Sequence, residues 1–448
     1  MQTKKLSKKQ LFLLASLIFG MFFGAGNLIF PVQLGQLAGK NWLPATAGFL
    51  LTGTVVPFLA MLAVSITRSK SIYDLARPVT PWFAAIIVLA IHLTLGPLGA
   101  TPRTAATAFA MGFAPLVPAS SQNLVMLIFS AIFFILAYFF TVKESNLTKW
   151  IGKYLNPIFI VLLLVVFLLA LLLPMGGLNQ TVSSAYASHP TFTGVLDGYN
   201  TMDGLALLGF AVSVIYATQK LGFSEAQTPK VLAQAGTISI LFEAFIYIAL
   251  VLLGVSSLSK FAPAANGGVA FSQIITHYAG NFGIILTAII VTLAVFTTAM
   301  GLGASFAQDL NRLFPKIPYH AWLLITFGSS FITANAGLTN IMKWSVPVLM
   351  LVYPYALTLI ILALLNPWIQ KSPLVYRTAM IFITPSAFLD ALASTPFAGE
   401  THITFMAKFY HAWIPLAQEG LGWIIPAIIG LIIGFILMKL TQKSAQAA

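Results

Sequence analysis

Five ionisable side chains, His92, Arg103, Asp203, Glu243 and Asp390, lie inside long apolar runs of a 448-residue chain. A charge at the centre of a bilayer costs at least about 2.5–3.5 kcal/mol, so such groups pair with one another or serve a function. Arg103 and Asp203 fall in the outer halves of their runs and are expected to pair, or jointly to line an outer vestibule. Glu243 falls at the midpoint of its run. It is expected to be a neutral, hydrogen-bonded carboxyl, with proton carriage as the alternative. Asp390 is expected near the surface, and His92 receives no role. A second constellation is uncharged: Gly20, then Gly24, Ala25, Gly26 and Asn27, then Pro31. G-A-G-N in mid-run followed by proline predicts a broken helix, and the freed N–H and C=O groups must then line a cavity. Amides at a helix restart form an anion site, which the helix dipole reinforces. The Ala25 and Gly26 amides suit that role because glycine lets a ligand approach the backbone. Thr201, Asp203, Gly204, Gly209 and Phe210 mark a similar disturbance in a later run. Glycines also serve close helix packing, and spacing alone does not separate the two readings.

The elements that position these residues follow from composition. Hydrophobic residues make up 59% of the chain and charged ones 7%. A soluble protein carries about 25% charged residues. The balance excludes a globular enzyme, a nucleic-acid binder and a disordered chain, and it predicts an all-α polytopic membrane protein. Cysteine is absent, and the ten acids and six histidines are scattered, with no H-E-x-x-H and no G-x-x-x-x-G-K-[ST]. A channel would show rings of like charge or a repeated filter loop, and neither occurs. A span needs about 20 mostly apolar residues. Twelve are expected: 10–37, 43–67, 81–112, 122–142, 150–174, 198–220, 231–255, 281–308, 319–336, 343–366, 374–393 and 418–439. The first is read as an uncleaved span rather than a signal peptide. Runs 81–112 and 281–308 are long enough to be tilted or interrupted, and the loop at 256–280 has room for short surface helices.

Charge sets the orientation. With the N-terminus inside, 18 of the 23 lysines and arginines, including Lys4, Lys5, Lys149 and Lys153, fall on inner segments, and 4 fall on outer ones. Positive charge marks the cytoplasmic side, so both termini are expected there. The whole of 1–448 reads as a single transmembrane domain. Paired interrupted helices at matching places in two halves mark the site of many transporters. Five spans separate the starts of the two disturbed runs, which predicts inverted repeats over 10–174 and 198–366 with two additional helices at 374–439.

F-G-A-G-N-L-I-F-P (Phe23–Pro31), G-P-L-G-A-T-P-R-T-A (Gly96–Ala105), G-Y-N-T-M-D (Gly198–Asp203), S-V-P-V-L-M-L-V-Y-P (Ser345–Pro354) and P-L-A-Q-E-G-L-G-W (Pro415–Trp423) resemble the bacterial branched-chain amino acid carriers of the BrnQ type. The matches run in order along essentially the whole chain. Glu419 beside Gly420 departs slightly from the family's usual pattern. The resemblance implies a LeuT-like 5+5 inverted-repeat fold in the bacterial inner membrane. It also implies import of leucine, isoleucine and valine by alternating access, coupled to Na+, with H+ also open. A proton-coupled carrier of another small neutral amino acid is the alternative. For such a zwitterion, Gly24, Ala25, Gly26 and Asn27 would cradle the carboxylate. Asp203 and carbonyls around Gly204–Gly209 would meet the ammonium, and Leu207, Leu208 and Phe210 would wall the side chain. The fold that the chain resembles places a sodium ion between carbonyls of Gly20 and Phe23 and the Ala294 carbonyl and the Thr297 and Thr298 hydroxyls. The i, i+3, i+4 spacing puts the last three on one helical face. By spacing alone, a threonine more often bonds its own helix. Asn27 could offer its amide oxygen to a second ion. The expected partners are a small amino acid and the lipid bilayer, with no nucleic acid; the sequence does not set the oligomeric state.

Overall fold

The computed structural model describes residues 6–143, 154–397 and 401–447, and their regular structure is helical, with no strand. Lys4, Lys5, Lys149, Lys153 and the start of the fifth expected span lie outside the described residues.

The first span is two helices, α1 (Lys8–Phe22) and α2 (Ala25–Ala38). Ser7 opens α1: its hydroxyl accepts from the Gln10 N–H, and the Gln10 side chain returns to the Ser7 N–H, closing a capping box. Then come α3 (Trp42–Leu50), a π-helical turn at Leu51–Val55, and α4 (Val56–Ile66). A short α5 (Ile72–Ala76) precedes α6 (Pro81–Leu95) and α7 (Ala100–Ala108). The long run at 81–112 is thus interrupted, at Gly96–Gly99, where G-P-L-G cannot sustain a helix. Next are α8 (Gln122–Thr141), α9 (Asn156–Leu172), α10 (Pro190–Thr201) and α11 (Asp203–Lys220). The chain continues through α12 (Thr228–Ser257), α13 (Gly267–Ala279) and α14 (Phe282–Leu313). Helix α13 occupies the loop expected to carry short helices. The second long run, α14, is unbroken over 32 residues. The chain ends with α15 (Tyr319–Ala334), α16 (Leu338–Leu364), α17 (Asn366–Ile369), α18 (Pro373–Ala393), α19 (Thr401–Trp413) and α20 (Ile424–Ala447).

Among the described residues, seven helical runs are long and apolar enough to cross a membrane, or eight when the bent pair α10–α11 counts as one span. Twelve is not reached by this measure. The break after Phe22 leaves α1 with 15 residues, and α15 has 16.

The chain packs as two compact units, Met1–Phe58 with Leu95–Ile341, and Leu59–Thr94 with Met342–Ala448. This division cuts across both expected repeats. In the second unit, Arg377 Nε and Lys371 Nζ donate to the carbonyls of Val79 (2.8 Å) and Thr67 (3.2 Å). Asp390, expected near the surface, is buried at 3% exposure, because α19 and α20 pack on α18.

The first unit holds both disturbed spans. Its tightest crossing is α3 on α10. A Cβ on Gly194 would lie 2.0 Å from the Ala45 carbonyl oxygen, and one on Gly198 2.0 Å from Thr52 Oγ1. The G-V-L-D-G spacing therefore lets two backbones touch, as small-residue stripes do in membranes. Thr52 Oγ1 seals the contact by donating to the Val195 carbonyl at 2.7 Å. Helix α14 packs against α1, α2, α7 and α11 within the same unit.

Candidate functional site

The first break is two residues long. Phe23 and Gly24 are extended (φ −69°, ψ 105° and φ −138°, ψ −151°) between α1 and α2. In an unbroken helix the Gly24 N–H would bond the Gly20 carbonyl. Here it donates instead to Asn27 Oδ1 at 2.9 Å. The Phe23 carbonyl turns to α14 and accepts from Thr298 Oγ1 at 3.1 Å. Gly24 is required by that approach, since a Cβ would sit 2.4 Å from Thr298 Oγ1.

The second break is a single residue. Met202, between α10 and α11, is left-handed (φ 66°) and bends the pair by 42°. A non-glycine residue there is uncommon and stores of order 1–3 kcal/mol, a cost met at functional sites. The Thr201 hydroxyl braces the turn, accepting from the Asp203 N–H at 3.5 Å and donating to the Gly198 carbonyl at 2.8 Å. Gly204–Gly209, expected to supply unwound carbonyls, lie inside regular α11. The disturbance sits just before them, at the end of α10.

The two breaks meet. A Cβ on Gly26 would lie 3.0 Å from the Thr201 Cα, and Gly24, Gly26, Asn27, Met202 and Asp203 line one cavity with Arg103 and Thr298. Its apolar wall comes from Leu95, Ala100, Ala206 and Leu302. Leu207, Leu208 and Phe210, expected as that wall, are fully buried elsewhere in the packing, with Phe210 against Gly301. The cavity measures about 20 Å³, which is room for one or two waters. A leucine enters only if the walls part.

Asn27 is the hub. Its amide oxygen caps Gly24, and its Nδ2, with two hydrogens to give, lies within hydrogen-bond reach of Asp203 Oδ2 (2.8 Å), Glu243 Oε1 (3.3 Å) and the Tyr247 hydroxyl. Tyr247 in turn donates to Asp203 Oδ2 at 3.0 Å. Its ring is gripped by Phe23, stacked at 6.1 Å, and by Phe49, edge-on at 5.0 Å. Asp203 and Glu243 are 2% and 0% exposed. Sequence reasoning missed this cluster. It placed Asn27 by its oxygen, which is already committed to Gly24, and left Glu243 without a partner. Glu243 and Tyr247 are four residues apart on one face of an apolar helix, and that spacing was the available signal.

Arg103 was expected to face Asp203, and both line the cavity. The guanidinium Nη2 donates to the Asn200 carbonyl at 2.9 Å, at the C-terminal end of α10 where a cation is favoured, and lies 5.5 Å over the Phe30 ring. On α14, Thr298 reaches across to the first break. Thr297 returns its hydroxyl to the Ala294 carbonyl of its own helix at 2.8 Å.

Residues 7–441 match the family described as branched-chain amino acid transport protein. The chain belongs to that family. It is a transporter and not an enzyme. It is 36% identical over 435 residues to the branched-chain amino acid permease BrnQ of Lactobacillus delbrueckii subsp. lactis, covering 95% of this chain and 96% of the relative. It is 34% identical over 441 residues to the branched-chain amino acid permease BraB of Bacillus subtilis, covering 98% and 97%. Among solved structures, the transporter resembles Mhp1, a nucleobase-cation-symport-1 family transporter, in a closed conformation with bromovinylhydantoin bound. That likeness has a TM-score of 0.59 at 15% identity and covers 97% and 93% of the two chains. A manganese transporter of Eremococcus coleocola gives 0.58 at 14%, covering 98% of each. The transporter therefore shares the helical fold of these membrane carriers.

Proposed function

We propose that the transporter is a secondary active symporter that imports leucine, isoleucine and valine, driven by a sodium gradient. Two broken helices face each other across one buried cavity, and that observation carries the reading. The substrate carboxylate takes the Ala25 and Gly26 amides at the N-terminus of α2, where the dipole favours an anion. The ammonium meets Asp203 and the carbonyl end of α10. The side chain lies along Ala206 and Leu302.

Sodium is a cotransported cargo here. It favours hard, neutral oxygens, and the Gly20, Phe23 and Ala294 carbonyls with the Thr298 hydroxyl offer such a set. The Gly20 carbonyl has lost its usual helical donor to Asn27. Thr298 already spans from α14 to the Phe23 carbonyl, so α1 and α14 meet at the oxygens a cation would take. Thr297 is the weaker ligand, because its hydroxyl serves its own helix.

The surrounding frame is twelve spans in two inverted repeats of five plus two additional helices. It sits in the bacterial inner membrane with both termini cytoplasmic, as the lysine and arginine bias favours. Alternating access then rocks one bundle around the midplane site, with the breaks as hinges. Moving one positive charge inward across 100 mV releases about 2.3 kcal/mol, which sustains nearly two decades of accumulation.

Counterflow and uptake of labelled leucine in proteoliposomes test the reading, with sodium and pH gradients imposed separately. A sodium gradient alone should drive accumulation. Uptake driven only by a pH gradient would discard the sodium site at Phe23 and Thr298.

A further inference from the structure

At the cavity wall, two buried carboxyl groups, Asp203 in the lining and Glu243 beyond it, share one amide nitrogen. Asp203 Oδ2 and Glu243 Oε1 both lie within 3.3 Å of Asn27 Nδ2, although α11 and α12 contribute them from places far apart in the chain. Hydrogens can be counted here. Asn27 supplies two and the Tyr247 hydroxyl one, the Asn27 orientation being set by its oxygen on the Gly24 N–H. Four close polar contacts join Asn27, Tyr247, Asp203 and Glu243. The Asn27 nitrogen has two hydrogens for three acceptors, and two carboxylates this close, both shut away from water, cannot both ionise. Among the described residues, Glu243 Oε2, fully buried, has no hydrogen-bond partner. Asp203 takes the better donors, from Asn27 and Tyr247. Glu243 takes the longer Asn27 contact and shares the Tyr247 hydroxyl with Asp203.

We infer that Asp203 and Glu243 form a one-proton site in which Glu243 holds the proton, and that Asn27 connects this site to the amides that receive the substrate carboxylate. The occupant is a proton rather than a metal ion, because the groups turned toward the two carboxyls are donors, and the Asn27 oxygen that would ligate a cation serves Gly24. Among the described residues no cluster of three acid, histidine or cysteine side chains suits a metal.

The neighbours on every packed element fit one proton. Helices α2 and α3, against α12, carry no charged residue, and α1 has only Lys8 and Lys9, in its first turn. Helix α13 brings His277 and Tyr278, whose rings contact each other, and Lys220 and Lys230 lie at the far ends of α11 and α12. Helix α14, packed on α11, carries Asp309 and Arg312, paired at 3.8 Å near its C-terminal end, and Asp197 of α10 accepts from the Tyr186 hydroxyl. Arg103 lines the cavity with Asp203. One cationic arginine and one ionised carboxylate leave the site neutral, as a zwitterion requires.

The inference rests on the reading that leucine places its carboxylate on the α2 amides. An anion there sits one residue from Asn27 and raises the cost of a second ionised carboxyl. Leucine and the proton therefore favour each other's binding, reciprocally. The step is protonation alone: a proton from water forms an O–H bond on Glu243, and no other bond changes. When the site opens inward, rehydration lets the proton leave with the amino acid.

The test loads proteoliposomes with the pH dye pyranine, holds sodium equal on both sides and adds labelled leucine outside. Leucine inflow should acidify the lumen, and the apparent affinity for leucine should weaken as pH rises, by up to about tenfold per unit for one linked proton. In Glu243→Gln, protons carried per leucine should fall at least about tenfold against the wild type, with labelled leucine counted in the same vesicles. Asp203→Asn reads the same ratio if the first variant does not reconstitute. Wild-type leucine inflow without acidification, or an unchanged ratio in the variants, overturns the proton site and leaves the transport reading standing. Absence of wild-type leucine counterflow overturns both.

Discussion

The two breaks solve one problem by different means. Between α1 and α2 the chain uses glycine, an extended pair and a borrowed side-chain oxygen, so one freed backbone group takes the nearby Asn27 and the other the distant Thr298. Between α10 and α11 a single methionine turns left-handed and a neighbouring threonine braces it. The first break is a wiring junction whose geometry depends on groups elsewhere in the unit. The second is a local kink. Damage to the first should therefore spread to substrate, cation and proton alike, whereas damage to the second should stay small and mostly mechanical.

Asn27→Ala presses hardest on that distinction. It removes the Gly24 cap and the donor to both carboxyls, and buried hydrogen bonds to charged groups are worth about 1.5–3 kcal/mol each, so initial leucine uptake should fall at least about 100-fold. A rate within threefold of wild type, at equal protein per vesicle, would remove the hub. Next is a double charge reversal. Arg103→Asp with Asp203→Arg should stay as inactive as either single variant, because Asp203 is held by Asn27 and Tyr247 rather than by one cation. Recovery of transport would instead reveal a plain ion pair.

Gly24→Ala probes the cation side. Its Cβ would collide with Thr298 Oγ1, and the sodium concentration for half-maximal uptake should rise about tenfold, the effect of roughly 1.4 kcal/mol. Thr298→Ala should do the same, and Thr297→Ala should shift it less than about threefold because that hydroxyl bonds its own helix. Equal effects at the two threonines would contradict the ordering.

The smallest effect belongs to the kink. Met202→Ile keeps the volume but adds β-branching where φ is positive, and should lower Tm by about 1–3 °C relative to Met202→Leu. Identical melting curves for the two would mean that the left-handed turn stores nothing.

How much of this was legible in the sequence depended on whether a signal was local. The first break announced itself, because G-A-G-N has no reason to persist as helix and Asn27 is close enough to cap Gly24. The second was marked from Thr201 onward, but its unwound carbonyls were placed a few residues late, at 204–209, while the turn fell on a methionine that propensity would never nominate. The interruption at 96–99 was expected only as one of two possibilities for a long run, and the other long run stayed whole. Tyr247 and Glu243 became site residues through contacts more than 200 positions from Asn27, and no periodicity encodes such a distance. The apolar wall was hard to place for a similar reason: Leu207, Leu208 and Phe210 are on the helix that lines the cavity, but tertiary packing buries their side chains away from that lining.

The seam between α3 and α10 bears on how such a molecule can move. With backbone lying against backbone at Gly194 and Gly198, there is no cushion of side chains to shear, so the upstream arm of the second kinked rod is effectively riveted to its neighbour. Torque reaching that rod must then be taken up at one swivel, Met202. A single methyl added at either glycine should jam the machine while leaving every ligand-facing atom untouched.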